Sequence, residues 1–339
     1  MTIKVGINGF GRIGRQAYKV IYEQYREHLK VEAINDLAGV EANAHLLRYD
    51  TIYGRFPGHV ELKDGVMYID GEELKNVAIP NPAELPWGEL GVDIVLECTG
   101  LFRKRDKAAL HLDAGAKKVI ISAPGRDMDG TFCLGVNEDK YDPETQHIIS
   151  NSSCTTNCLA PVIKVLHHEF GIASGFITNI HAVTGIQTVS DTAKGNIRLG
   201  RSAMANIIPT KMGGSGPIRH LFPDLAGKLH GIAYRVPVIT GSLLDMVMTL
   251  EESADAAAVN AALKAASLED SWLGKVLDYS EEPLVSSDYI GSSASATIDA
   301  LSTVDNKDDH SVKIVAWYDN EWGYSHRLAD LAFYVAQSI

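Results

Sequence analysis

The run Ser150-Asn151-Ser152-Ser153-Cys154-Thr155-Thr156-Asn157-Cys158-Leu159-Ala160-Pro161 concentrates residue types that could do chemistry. Leu159, Val162, Ile163 and Leu166 follow at helical spacing, which places Cys154 at a helix start. Ser152 and Ser153 are capping types, and Pro161 is expected early enough to be tolerated in a first turn. A thiol there meets the positive end of the helix dipole and unpaired N–H groups. That favours the thiolate, which is the nucleophile. Taken alone, the same cysteine also fits an inert core position. Three other segments bear on it. They are Val5-Gly6-Ile7-Asn8-Gly9-Phe10-Gly11-Arg12-Ile13-Gly14, His181 after the apolar run 175–180, and Trp317-Tyr318-Asp319-Asn320-Glu321-Trp322-Gly323-Tyr324.

The elements around these residues read as two domains. Residues 4–8 form a strand, Gly9, Gly11 and Gly14 a G-x-G-x-x-G turn, and a helix runs on through about Leu29. A second strand, 31–35, ends at Asp36, giving the dinucleotide fingerprint with its acidic residue about 20 positions on. Gly9 permits the turn, Gly11 lets the backbone approach a pyrophosphate, and Gly14 lets helix and strand pack closely. The pyrophosphate would sit on the helix N-terminus, and Asp36 would accept from the adenosine ribose hydroxyls. Strands at 93–98 and 118–122 flank a helical stretch, 104–114, so the sheet is parallel. Thr99-Gly100 and Ser122 follow strand C-termini, where open α/β sheets bind ligands. From about residue 150 the chain carries long strand-like runs, 175–183, 231–238 and 243–250, with fewer helices. A mixed or antiparallel sheet is expected there. Residues 184–205 are polar and non-periodic, and 326–339 form an amphipathic helix. The fold class is therefore α/β: a Rossmann domain, 1–150, completed by a C-terminal helix, 316–339, plus an α+β catalytic domain, 151–315, with a mixed or antiparallel sheet.

Together the four segments resemble the phosphorylating glyceraldehyde-3-phosphate dehydrogenase family over essentially the whole chain. The resemblance implies that Cys154 adds to an aldehyde carbonyl and that His181 is the base, a task suited to neutral imidazole near pH 7. Hydride loss would leave a thioester on Cys154, and inorganic phosphate would attack it to give an acyl phosphate. The implied reaction takes glyceraldehyde 3-phosphate to 1,3-bisphosphoglycerate in glycolysis or gluconeogenesis. Arg235, in Tyr234-Arg235-Val236-Pro237, matches the family's substrate-phosphate arginine. Thr184, and Ser153 and Thr155 beside the thiol, add anion-binding groups; Arg198, Arg201 and Gly213 complete the expected phosphate contacts. The cofactor contacts implied are Asn8, Gly9, Phe10, Gly11, Arg12, Ile13, Gly14, Asp36, Thr99, Gly100, Ser122, Asn320 and Tyr324, with Asn320 holding the nicotinamide carboxamide. The family's polar loop reaches a neighbouring subunit's cofactor site, which implies a homotetramer.

Some positions depart from the family pattern. Met212 stands where a phosphate-binding hydroxyl is expected, and Arg198 is followed by Leu199, Gly200 and Arg201 rather than a second arginine. A weakened phosphate site would let water hydrolyse the thioester, as in the erythrose-4-phosphate dehydrogenase branch. A catalytically silent binding protein is the alternative of another class, but it should have lost a member of the nucleophile–base set. Asp36 and Leu37 favour NAD, whereas Thr192-Ala193 replaces a bulkier pair and admits NADP as a second cofactor.

The bulk properties agree. The 339 residues are 45% hydrophobic and 22% charged, with a formal charge of −12 that argues against nucleic acid or acidic lipid partners. Four cysteines without repeated spacing make neither a disulfide framework nor a metal site. No leader pattern or membrane-length apolar run is read, so a reducing cytoplasm is expected.

Overall fold

The computed structural model describes residues 2–212, 215–306 and 308–339, with the side chains of 215–217 left aside. The chain divides into two compact units. Met1–Phe132, Asp139–Ser152 and Ser325–Ile339 form one, and Cys133–Glu138 with Ser153–Tyr324 the other.

Among the described residues the first unit is built on a nine-stranded sheet. The strand Ile3–Asn8 lies between Leu29–Asn35 on one side and Ile94–Glu97 on the other, all parallel. Lys118–Ile121 and Ile148–Ser150 extend the parallel side. Beyond Leu29–Asn35, Glu72–Val77 pairs in parallel and then turns antiparallel into Val66–Ile69 and Val60–Lys63. Strand order reverses around Ile3–Asn8, so a crevice opens at the carboxyl ends of that strand and of Ile94–Glu97. Val5 and Ile7, and Ile94 to Leu96, are fully buried, as expected of strands covered on both faces.

Several expectations shift here. The glycine-rich helix covers Arg12–Val20, passes into a π-helical turn at Ile21–Tyr25, and stops short of Leu29, which pairs with Ile3 in the sheet. The stretch 104–114 forms two short helices, Arg105–Ala108 and Leu110–Asp113. The last helix is Trp322–Ala336, while Ala316 to Tyr318 finish the strand Ser311–Tyr318. The chain therefore leaves the second unit at Tyr324 rather than at residue 316. Within the first unit that helix is held by Tyr25, whose hydroxyl donates to Asp330 at 2.5 Å and whose ring stacks on Phe333.

Among the described residues the second unit carries an eight-stranded mixed sheet. Ile172–Ala182 runs parallel to Leu229–Val236 and antiparallel to Ser242–Leu250, which pairs in turn with Ser311–Tyr318. Alternation in Ser242–Leu250 turns Leu244, Met246, Met248 and Leu250 into the core. The helix Cys154–Phe170 covers that face with Leu159, Val162, Ile163 and Leu166. Pro161 lies well inside this helix, not in its first turn as the sequence suggested. The helix thus forgoes the backbone donor to the Asn157 carbonyl, a loss offset by burial of the surrounding apolar face.

Candidate active site

Cys154 is the first residue of its helix. Ser153 is the N-cap, and its Oγ accepts from Thr156 N at 3.1 Å. Ser152 before it holds φ +57°, so the chain turns sharply out of the strand Ile148–Ser150 into the helix. His181 sits near the end of Ile172–Ala182, 3% exposed, with Nε2 3.5 Å from Cys154 Sγ. Arg235 is its direct partner across the parallel pair. The sheet register therefore brings Arg235 beside His181, and the helix start delivers Cys154 to both.

His181 Nδ1 lies 2.7 Å from the Ala182 carbonyl oxygen and 2.5 Å from Arg235 Nη1, which also donates to that oxygen at 3.1 Å. Nδ1 can serve one of them at a time. With Nδ1–H donated to Ala182, Nε2 is an acceptor facing the thiol. With Arg235 donating to Nδ1, Nε2 carries the hydrogen and faces sulfur as a donor. Taking a proton from the thiol calls for the first form, in which Nε2 is the acceptor.

Burial pushes the Cys154 thiol above its ordinary value, and the Arg235 charge and Thr155 donors offset this in part. Burial, and then the same arginine, lowers His181 to about 3. The resting pair is thus thiol and neutral imidazole. The helix-terminus argument had favoured the thiolate; burial of the sulfur pulls the other way.

Beneath the thiol lies a network that sequence reasoning missed. Tyr318 Oη donates to Asn179 Oδ1 at 2.9 Å, and Asn179 Nδ2 donates to Thr155 Oγ1 at 3.0 Å. The Tyr318 ring meets the His181 ring edge-on, with centroids 6.0 Å apart. Asn179 could have been found from alternation, since it stands two residues before His181 and shares its strand face. Tyr318 lay in the quoted C-terminal motif. Thr155, 4% exposed, is consequently tied into this network.

The remaining expected phosphate residues are more dispersed. Thr184 Oγ1 donates to Gln187 Oε1 at 3.0 Å. Arg198 is exposed on the polar loop, and Arg201 pairs with Asp191 at 2.9 Å. Gly213 lies outside the described residues. Met212, 6% exposed, turns its sulfur into the core against Gly231. Asn320 is 4% exposed, and its Oδ1 accepts from Ser242 Oγ at 2.8 Å, so the NH2 end is the one left for a ligand. Tyr324 is buried.

In the first unit, the glycine positions fit a dinucleotide. Gly9 has φ +92°, and a Cβ there would lie 2.7 Å from Thr99 N. A Cβ on Gly14 would meet Gly9 O at 2.1 Å. A Cβ on Gly11 would enter open space, and Gly11 caps the helix Arg12–Val20 without any side-chain bond to its amides. That leaves an uncovered helix terminus suited to a pyrophosphate. Asp36 accepts from Phe10 N and from Ala38 N, both at 2.9 Å, which holds its carboxylate beside the turn. Ile13 is half-buried, Gly100 is exposed with φ +71°, and Ser122 N donates to Glu97 O. Three side chains expected at the cofactor are occupied within the protein. Phe10 is in the core, Arg12 pairs with Asp50 at 2.6 Å, and the Asn8 amide is bound to Glu97 and Asn35. Their backbone remains at the turn.

Among the described residues no group of three His, Cys, Asp or Glu side chains could hold a metal, and no helix is long and apolar enough to cross a membrane.

Comparison with known proteins agrees with this geometry. Residues 3–105 match the family described as "Glyceraldehyde 3-phosphate dehydrogenase, NAD binding domain", and residues 153–320 match "Glyceraldehyde 3-phosphate dehydrogenase, C-terminal domain". A glyceraldehyde-3-phosphate dehydrogenase of Geobacillus stearothermophilus is 50% identical over 338 residues, 99% of both chains. One from Streptomyces coelicolor is 49% identical over 339 residues, all of both chains, and one from Bacillus subtilis is 48% identical over 99% of both. With two matched domains and relatives of this identity over its whole length, the chain belongs to the glyceraldehyde-3-phosphate dehydrogenase family.

Proposed function

We propose that the protein oxidises glyceraldehyde 3-phosphate, with NAD and inorganic phosphate, to 1,3-bisphosphoglycerate, as a step of glycolysis or gluconeogenesis. The observation that carries this reading is the Cys154 Sγ–His181 Nε2 contact of 3.5 Å with Arg235 beside it. Cys154 sulfur bonds to the aldehyde carbon as its thiol proton passes by way of His181 Nε2 to the carbonyl oxygen, which becomes the thiohemiacetal hydroxyl. His181 Nε2 takes that hydroxyl proton as the carbon is oxidised to the thioester. NAD would supply the hydride acceptor, and in the first unit the glycine turn, Asp36 and Thr99 would hold its dinucleotide. Phosphate oxygen then bonds to the thioester carbon, the C–S bond breaks, and the thiolate of Cys154 leaves. Arg235, Ser153, Thr155 and Thr184 bind the phosphoryl groups, with Arg198 and Arg201 adding positive charge.

The working form is a homotetramer in the cytoplasm. Support for assembly comes from apolar side chains on the open sheet face of the second unit, where Phe176, Ile232 and Val247 are 69%, 40% and 42% exposed. Val189 and Ile197 of the polar loop are more than four-fifths exposed. A reducing compartment suits the four free cysteines. The test is NADH formation from glyceraldehyde 3-phosphate with and without inorganic phosphate. Activity that requires phosphate is expected; equal rates without it would make the enzyme a hydrolytic aldehyde dehydrogenase, and no NADH would reject the reading.

A further inference from the structure

Glu97 ends the strand Ile94–Glu97 and is fully buried, yet it takes no part in the chemistry above. Its carboxylate collects four donors. Oε2 accepts from Asn8 Nδ2 at 2.6 Å and from His111 Nε2 at 3.0 Å. Oε1 accepts from Thr99 N at 2.8 Å and from the Thr99 hydroxyl. The role of His111 follows from its other partner. The Trp87 indole N–H can only donate, and it lies 3.0 Å from His111 Nδ1. His111 therefore carries its proton on Nε2 and gives it to Glu97.

This arrangement fixes the polarity of a chain of amides across the carboxyl edge of the sheet. Because Asn8 gives its NH2 group to Glu97, its Oδ1 faces Asn35 and accepts from Asn35 Nδ2 at 2.6 Å. Asn35 then turns Oδ1 to Ile79 N, which donates at 2.9 Å. One carboxylate thus sets the orientation of groups at the ends of three parallel strands. Those are the strands that converge on the glycine turn.

The link to that turn is direct. Gly9 packs so closely on the Cys98–Thr99 peptide that a Cβ would lie 2.7 Å from Thr99 N. Thr99 N is the group that Glu97 holds. Thr99 Oγ1 also accepts from Leu101 N at 3.0 Å, so the same carboxylate shapes the bend through Gly100.

We propose that Glu97 is a positioning residue for NAD, a buried acceptor that presets the Gly9 turn and the Thr99 bend before the dinucleotide arrives. This rests on the reading of the first unit as the NAD site. A neutral acceptor of the same shape cannot replace it. Glutamine would present an NH2 group to at least one donor, and the misfit would propagate to Asn8 and Thr99.

The test is NAD binding by calorimetry to the parent and to Glu97→Gln, with kcat and both KM values and the rate of Cys154 alkylation by iodoacetate in the absence of NAD. We expect Kd and KM for NAD to rise about tenfold or more, with KM for the aldehyde and the alkylation rate within about twofold of the parent. A lowered melting temperature with NAD affinity unchanged would make Glu97 merely structural and overturn the proposal. If Glu97→Gln does not fold, His111→Phe, at a Glu97 donor outside the NAD contacts, serves instead. It removes one donor from Glu97, and it should weaken NAD binding several-fold; unchanged affinity there overturns the proposal equally. A parent that binds no NAD overturns the reading of the site and the proposal together, which distinguishes that failure from the others.

Discussion

Replacing His181 by Asn keeps a polar side chain of similar size but removes the proton acceptor 3.5 Å from Cys154 Sγ. The cost follows from the thiol. A cysteine of ordinary value 9.0 is about one part in a hundred ionised at pH 7, and burial pushes Cys154 higher still. An unassisted Cys154 therefore offers about a hundredth of its sulfur as nucleophile, or less. The hydroxyl proton of the thiohemiacetal also loses its acceptor. Turnover at pH 7 should fall by roughly 10²–10⁴, or about 3–5 kcal/mol of barrier. The pH profile carries the sign. His181, lowered to about 3, stays neutral across the working range, so the rising limb belongs to the thiol. In His181→Asn the rate should climb about tenfold per pH unit until the thiol ionises. Initial NADH formation between pH 6 and 10 measures this, and iodoacetate labelling reports the thiolate without cofactor. Label should reach Cys154 before Cys158, which is fully buried. Turnover within a few-fold of the parent at pH 7, or an unchanged labelling profile, would refute the argument.

Acid stability gives a second readout of the same histidine. The unfolded chain protonates His181 below its ordinary 6.5, while the folded protein does so near 3. Its contribution is full above pH 6.5 and is lost progressively as pH falls from there, by about 2 kcal/mol at pH 5. Urea unfolding at pH 7 and 5 should show the parent losing that much more than His181→Asn; equal losses would mean His181 ionises normally in the fold. Asp36→Ala should lower kcat/KM for NAD by about tenfold and raise the relative use of NADP, since the carboxylate held by Phe10 N both binds ribose hydroxyls and repels a 2′-phosphate. An unchanged ratio, measured with both cofactors in both proteins, would take Asp36 out of the ribose contacts.

The chemistry was legible where residue type and position coincide. Cys154 before an apolar stripe, the spaced glycines and Asp36 each carry their geometry locally. His181 and Arg235 needed the family resemblance, because no local pattern says that two distant strands lie in register. The opposing pull on the thiol was out of sight for a similar reason. A helix terminus can be read from sequence, but the burial that works against it depends on the whole sheet behind it. Pro161 was placed too near the helix start, although a helix that begins at Cys154 puts it at the eighth residue, in the third turn. The antiparallel strands at 60–77 and the Glu97 network went unseen. Glu97 sits in an apolar strand, and its partners Asn8, Thr99 and His111 share no spacing with it.

The pairing of His181 with Arg235 has a consequence for how this protein tolerates change in length. The two strands run parallel, so the chain between them must make a long crossover, through the exposed loop and the strand Ile208–Lys211. Extra residues in the exposed part of that crossover leave the ladder untouched, and the two side chains stay opposite each other. A single residue deleted inside either strand, upstream of the pair, does the reverse. It moves one partner a step along the ladder and turns it to the other face of the sheet. The ladder is a ruler, and the distance it keeps is independent of how much chain is spent in reaching it.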